Sequence, residues 1–202
     1  MPTKEDLHSF LRTRRSIRRF KPDPIPDSVI EDILSTATFA PSAHNRQPWR
    51  FTVLTDAAVK KRLGESITSK MRADMQSEGA NESDIEKRVT LSLRRMDEAP
   101  VVIILCRDTN DVRADTPEEK VMGIQSTALA GLQLLLAAHA EGLGGNWICW
   151  PLYALEATRS ALELPESWEP QAMYFLGYPA EMPSASARKD MREILLTVDD
   201  RP

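Results

Sequence analysis

The sequence predicts an α+β fold with more helix than strand, and three observations carry that prediction. Residues 101–106 (VVIILC) form an unbroken apolar run of strand length between Pro100 and Asp108, which suits a central strand buried on both faces. A long helix opens at Pro117 and runs to about residue 141. Shorter strand-like runs at 50–54, 147–149 and 172–176 are interspersed with segments of helical period.

Taken in order, Thr3-Lys4-Glu5-Asp6 has the form of a capping box, and Leu7, Phe10 and Leu11 mark one face of a first helix. Pro22, Pro24 and Pro26 then enforce an extended link. Asp27 is expected to cap a second helix with inner residues Ile30, Ile33, Leu34 and Ala37, ending before Pro41. A polar loop covers 42–47, followed by the strand at 50–54. Residues 57–75 and 83–98 read as helices, the latter with Ile85, Val89, Leu93 and Met96 at helical spacing, and 78–81 is the break between them. The helix from Pro117 is apolar nearly all round, which predicts burial among neighbours, and Gly142 is its stop. A helix at 154–162 follows the strand at 147–149. Alternation at 194–198 predicts a last strand, with no core of its own beside it in sequence.

At 202 residues the chain suits one domain over 1–202. Hydrophobic residues at 42% and charged residues at 28% place it among globular proteins. A net charge of −4 argues against a general nucleic-acid binder, although Arg12, Arg14, Arg15, Arg18, Arg19 and Lys21 crowd together near the start. Both cysteines, Cys106 and Cys149, lie in apolar runs and are expected as buried thiols; without CxxC or a neighbouring histidine no metal site is expected. The first ten residues lack the apolar core of a signal peptide, and 128–138, interrupted by Gln133, is expected to be too short and too polar to span a bilayer. The expectation is a cytoplasmic protein without a membrane partner.

Four motifs could carry chemistry. Arg14-Arg15-Ser16-Ile17-Arg18 offers guanidinium groups and a hydroxyl at a helix end, which can hold a phosphate by charge-assisted hydrogen bonds; a solvated basic face is the equally weighted alternative. The loop from Pro41 to Trp49 carries Asn45 and Gln47, whose amides can read the edge of a flat heterocycle, or simply form a turn. Gly142-Leu143-Gly144-Gly145 follows a helix and precedes a strand, the reverse of a dinucleotide fingerprint, so it reads as a helix stop. Trp147, Trp150 and Tyr153 suit either a ring-stacking pocket or the core. There is no Walker A sequence and no G-x-S-x-G elbow.

In this order the features resemble the nitroreductase family. The likeness covers the R-R-S-x-R start, the proline link, the P-S-x-x-N-x-Q-P-W loop, the long helix, the G-L-G-x-x-W-I turn and a late G-Y-P followed by a basic residue. Within the family, residues 70–74 (KMRAD), 84–89 (DIEKRV) and 164–170 (LPESWEP) are most similar to the nitroreductase-like C-terminal domain of coenzyme F420 γ-glutamyl ligase.

That resemblance implies a mixed, mainly antiparallel sheet flanked by helices, in a homodimer that exchanges terminal segments and binds FMN at its interface. Residues 194–198 would then pair with the partner's sheet. By position, Arg14, Arg15, Ser16 and Arg18 would hold the phosphate, ribityl chain and pyrimidine edge. Ser42, Asn45 and Gln47 would come from the other subunit, and Cys149 and Trp150 would bring backbone N–H groups to flavin N5 and O4. Arg188 would be a second phosphate ligand. Two departures stand out: Cys149 and the bulky Trp150 follow W-I, where the family often has a small residue, and Ser186 and Ala187 precede Arg188 where relatives carry another basic residue. The implied activity is ping-pong transfer of hydride from NADH or NADPH to a nitroaromatic, quinone or similar acceptor, with no catalytic side chain assigned. Reduction of a dehydro-F420-like or other dedicated metabolite, and non-catalytic flavin binding, are the alternatives.

Overall fold

The computed structural model describes residues 1–196, and its centre is the predicted apolar strand. That strand, β2 (Val101–Asp108), pairs antiparallel with β1 (Trp49–Leu54) on one side and with β4 (Trp168–Gly177) on the other. β3 (Gly144–Ile148) pairs antiparallel with β4, giving the order β1-β2-β4-β3. Successive side chains of a strand point to opposite faces, so a strand covered on both sides needs an unbroken apolar run. Val101, Ile103 and Leu105 enter one core, while Val102, Ile104 and Cys106 enter the other.

Over the first face lie α2 (Asp27–Ala37) and α5 (Pro117–Ala140), contributing Ile30, Ile33, Ala37, Ala130 and Leu134. Over the second lie α3 (Ala57–Ser77), α4 (Glu82–Glu98) and α7 (Leu155–Leu162), with Leu63, Ile67, Met96 and Ala161 inward. A four-residue helix, α6 (Trp150–Tyr153), joins β3 to α7. Asn81 caps α4 by accepting from the Asp84 backbone N–H, which fixes the break between α3 and α4 where the sequence placed it.

Several expectations need correction. α2 has Pro26, not Asp27, at its cap position; Asp27 is the first helical residue, where its charge still suits the helix dipole. α1 (Lys4–Thr13) has its capping box, but Leu7 and Leu11 are exposed and it buries no residue. α5 is buried on one side only, with Val121, Leu129 and Leu132 exposed. By length and composition α5 could cross a membrane; packing against β2 and β4 gives its apolar face a home in the protein core. Cys106 is buried, with its thiol pushed up to about 12 by burial, but Cys149 is exposed; both are free. The strand predicted at 194–198 starts wrongly: Asp190 caps a helical turn, α8 (Met191–Ile194), and residues 197 and 198 lie outside the described residues.

Candidate functional site

After α1 the chain runs extended along the open edge of the sheet. Ser16 forms a parallel bridge with Gly145, and the Ile17 N–H donates to the Gly145 carbonyl at 3.1 Å. Ile17 is buried, so its neighbours Ser16 and Arg18 are turned outward. The glycines make this approach possible. A Cβ on Gly144 would come within 2.5 Å of the Ile17 side chain, and one on Gly145 within 2.7 Å of Leu176. The turn at 142–145 is therefore a helix stop at Gly142 (φ 73°) and a docking edge at Gly144 and Gly145.

Docking of this segment creates cavities on both sides of Ser16. On one side, Arg14 and Ser16 share a cavity of about 620 Å³ with Gln125, Leu132 and Trp147. On the other, Ser16, Arg18 and Arg19 meet Arg94, Arg95 and Glu98 around about 250 Å³. Arg94 and Arg95, on the last turns of α4, escaped the sequence reading because a basic pair on a surface helix is ordinarily solvated. The available signal was position: Arg95 adjoins Met96 on the buried stripe of α4, which leaves its guanidinium partly desolvated. Burial, and then Arg18, Arg88 and Arg94, hold Arg95 below its ordinary value. Glu98, 3.6 Å from Arg94, and Glu181 offset part of this charge, and the excess of guanidinium groups favours an anion between them.

Arg15 is turned back. Its guanidinium donates to the Arg12 carbonyl at 2.6 Å and the Arg14 carbonyl at 3.0 Å, closing the end of α1, although it still lines a small cavity with Arg14 and His139. His139 stacks on Phe10 at 4.9 Å, and its Nε2 lies 3.2 Å from the Thr13 hydroxyl.

The 42–47 loop is built elsewhere, and none of Ser42, Asn45 or Gln47 lines the arginine cavities. His44, Asn45 and Gln47 all have φ between 53° and 55°, a costly backbone for side-chain-bearing residues. The loop is held by Ala43 N–H donating to Ser126 Oγ (3.1 Å), Gln47 N–H donating to Ser42 Oγ (3.1 Å) and the Arg46–Asp111 pair (3.1 Å). Gln47 donates to Asn45 Oδ1 at 3.2 Å, leaving two exposed amides presented side by side.

Trp147 and Trp150 diverge. Trp147 is half exposed over Tyr174 on the arginine side, whereas Trp150 stands edge-on to Phe175 and lines a different cavity with α3 and α4. Cys149 lies at the cap position of α6 between them. Arg188 is exposed in the stretch before α8, bonded only to the Ser186 and Ala187 carbonyls among the described residues. One chain thus unites Arg14, Ser16 and Arg18, and leaves the 42–47 loop and Arg188 apart from them.

The sequence profile of the Nitroreductase family matches residues 11–178. A candidate NADH dehydrogenase/NAD(P)H nitroreductase of Methanothermobacter thermautotrophicus is 32% identical over 185 residues, covering 90% of this chain and 81% of that protein. The NADH dehydrogenase of Thermus thermophilus is 29% identical, with 95% of each chain covered. A candidate nitroreductase of Desulfovibrio desulfuricans, crystallised in complex with FMN, superposes with a TM-score of 0.77 at 26% identity, covering 98% of this chain and 100% of that one.

Proposed function

This chain belongs to the nitroreductase family and is an FMN-dependent oxidoreductase, and from that premise we propose that residues 1–202 act as one domain of a homodimer. The dimer holds FMN beside residues 14–18 and passes electrons from NADH or NADPH to a small electron-poor acceptor, a nitroaromatic or quinone, in a ping-pong cycle. One observation carries the reading: Ser16 separates two cavities into which Arg14 on one side and Arg18, Arg94 and Arg95 on the other converge.

The residues fit the cofactor. Guanidinium groups match phosphate by paired, charge-assisted hydrogen bonds, and Trp147 offers a flat apolar wall in the same cavity as Arg14. Bound FMN supplies a two-electron carrier that takes hydride at N5 and returns it to the acceptor. Arg14 and Ser16 would hold the phosphate and ribityl end, with Arg15 keeping the end of α1 in place behind them. Arg18, joined by Arg94 and Arg95, would stabilise negative charge at the pyrimidine edge. Cys149 and Trp150, at the start of α6, would offer backbone N–H groups to N5 and O4. Protons come from solvent, and no side chain is assigned as an acid.

The second subunit completes the site in this reading. Its support is the exposed apolar surface of Leu7, Leu11, Leu129, Leu132 and Trp147, which borders the cavity of Arg14 through Leu129, Leu132 and Trp147. Ser42, Asn45 and Gln47, and Arg188, would then reach a flavin held mainly by the other chain.

The purified protein is expected to be yellow, to release FMN on denaturation and to sediment as a dimer. It should oxidise NADH or NADPH when menadione or a nitrofuran is added. FMN-loaded protein without turnover would leave a flavin-binding module only; a colourless monomer that refuses added FMN would overturn the whole reading.

A further inference from the structure

Cavities not used above include one of about 540 Å³ between α3, α4 and α6, within the usual range for small-molecule sites. Its walls are unusual for a surface cleft. Trp150 is fixed edge-on by Phe175, with ring centroids 6.1 Å apart, and Tyr153 beside it is 77% exposed, a large aromatic left facing solvent. Met71 and Met75 supply adaptable apolar surface opposite.

The lining charges divide into those already satisfied and those left over. Lys70 is bonded to Asp74. The Asp84 carboxylate accepts from Asn81 Nδ2 at 2.6 Å and lies 3.6 Å from Lys87. Arg88 has no carboxylate within ion-pair distance among the described residues, although its neighbours on α4, Asp84 and Arg94, each find a partner. Seven positions further along α4 stands Arg95, whose guanidinium feels the Arg88 charge as a repulsion. Arg88 lines this cavity while Arg95 lines the arginine cleft together with Arg18, so α4 carries basic residues to both. Glu78, exposed at the end of α3, is the acidic group that opposes Arg88 without a cation of its own among the described residues.

We infer that this cavity binds an aromatic ring bearing an anionic substituent such as a carboxylate, with the ring against Trp150 and Tyr153 and the anion at Arg88. The inference names the acceptor class for the reductase proposed above and rests on that reading for the reduction; the binding stands without it.

The test uses the FMN-loaded protein and two nearly isosteric ligands, 4-nitrobenzoate and the neutral 4-nitrobenzamide. Binding is read from tryptophan quenching, with Trp150→Phe as the control that must remove most of the signal. The carboxylate should bind about 5-fold tighter than the amide, the size of one exposed charge contact. Arg88→Gln should bring the ratio to near one, and Glu78→Gln should widen it. Equal binding of the two ligands by the unaltered protein, or a ratio unchanged in Arg88→Gln, would overturn the inference. A carboxylate preference without any reduction of the nitro group would sink the reductase reading alone; reduction of both compounds with equal KM and equal affinity would sink the inference alone.

Discussion

Leu7, Phe10 and Leu11 stripe α1 much as Ile30, Ile33 and Ala37 stripe α2, yet the two helices meet different fates. α2 closes over the sheet with its stripe buried, and α1 buries nothing, touching α5 through the stack of Phe10 on His139. α5 shows the same split within one helix. Ala130 and Leu134 lie in the core, while Leu129 and Leu132, on the other side, stay exposed. Apolar periodicity states that a face needs cover; it does not state that the same chain supplies it. The closed face holds the sheet together, and the open one borders the arginine cleft.

The sharpest way to test the closed side is Ile103→Ala, at a fully buried position facing α2 and α5. It should cost about 2–5 kcal/mol in chemical denaturation, because the surrounding side chains collapse only partly into the space left. A loss under about 1 kcal/mol would show that this layer is not the core.

On the open side, Leu132→Arg should leave the far-ultraviolet spectrum of the folded chain unchanged, since an exposed position seldom shifts stability by more than about 0.5 kcal/mol. Its effect should fall on association: sedimentation velocity should show monomer in place of the dimer proposed for the unaltered protein, and retained FMN should drop with it. A variant that remains a dimer would move the seam off this face of α5.

This contrast also marks what could be read in advance. β2 was legible because burial on both faces demands an unbroken apolar run, and α4 because Ile85, Val89, Leu93 and Met96 recur at helical spacing after the break at 78–81. β4 was found only from Ala172 onward, since Trp168-Glu169-Pro170-Gln171 looks like a loop until Glu169 is seen paired with buried Arg107 at 2.9 Å. Gly144 and Gly145 read as a turn because nothing local reveals that Ile17 will lie against them. In the site, Arg14, Arg15, Ser16 and Arg18 were legible as a basic cluster at a helix end, but the extended path that turns Arg15 away from the other three was not. Nor were Arg94 and Arg95, because their meeting with Ser16 depends on the tertiary crossing of α4. Alternation misled at its start, since Asp190 begins a helical turn that takes in Ile194.

The contact of α1 with His139 on the open side is also pH-dependent. His139 is held below its ordinary 6.5 by burial first, then by Arg14 and, after an opposing pull from the Phe10 carbonyl, by Arg15. Its neutral form is thus the one the folded contact prefers. Because the folded value is the lower of the two, the stabilisation is complete above 6.5 and is lost as pH falls through 6.5 toward the folded value. Acidification charges the imidazole between Phe10 and Arg14, so α1 should loosen while the closed face of the sheet does not. Amide hydrogen exchange followed from pH 7.5 to about 5, corrected for the intrinsic rate, should show protection falling in residues 4–13 and holding in β2. His139→Gln, which keeps a polar group but cannot gain a proton, should flatten the response of α1. Parallel behaviour of α1 and β2, or a response that survives His139→Gln, would mean that α1 is anchored by contacts other than this ring.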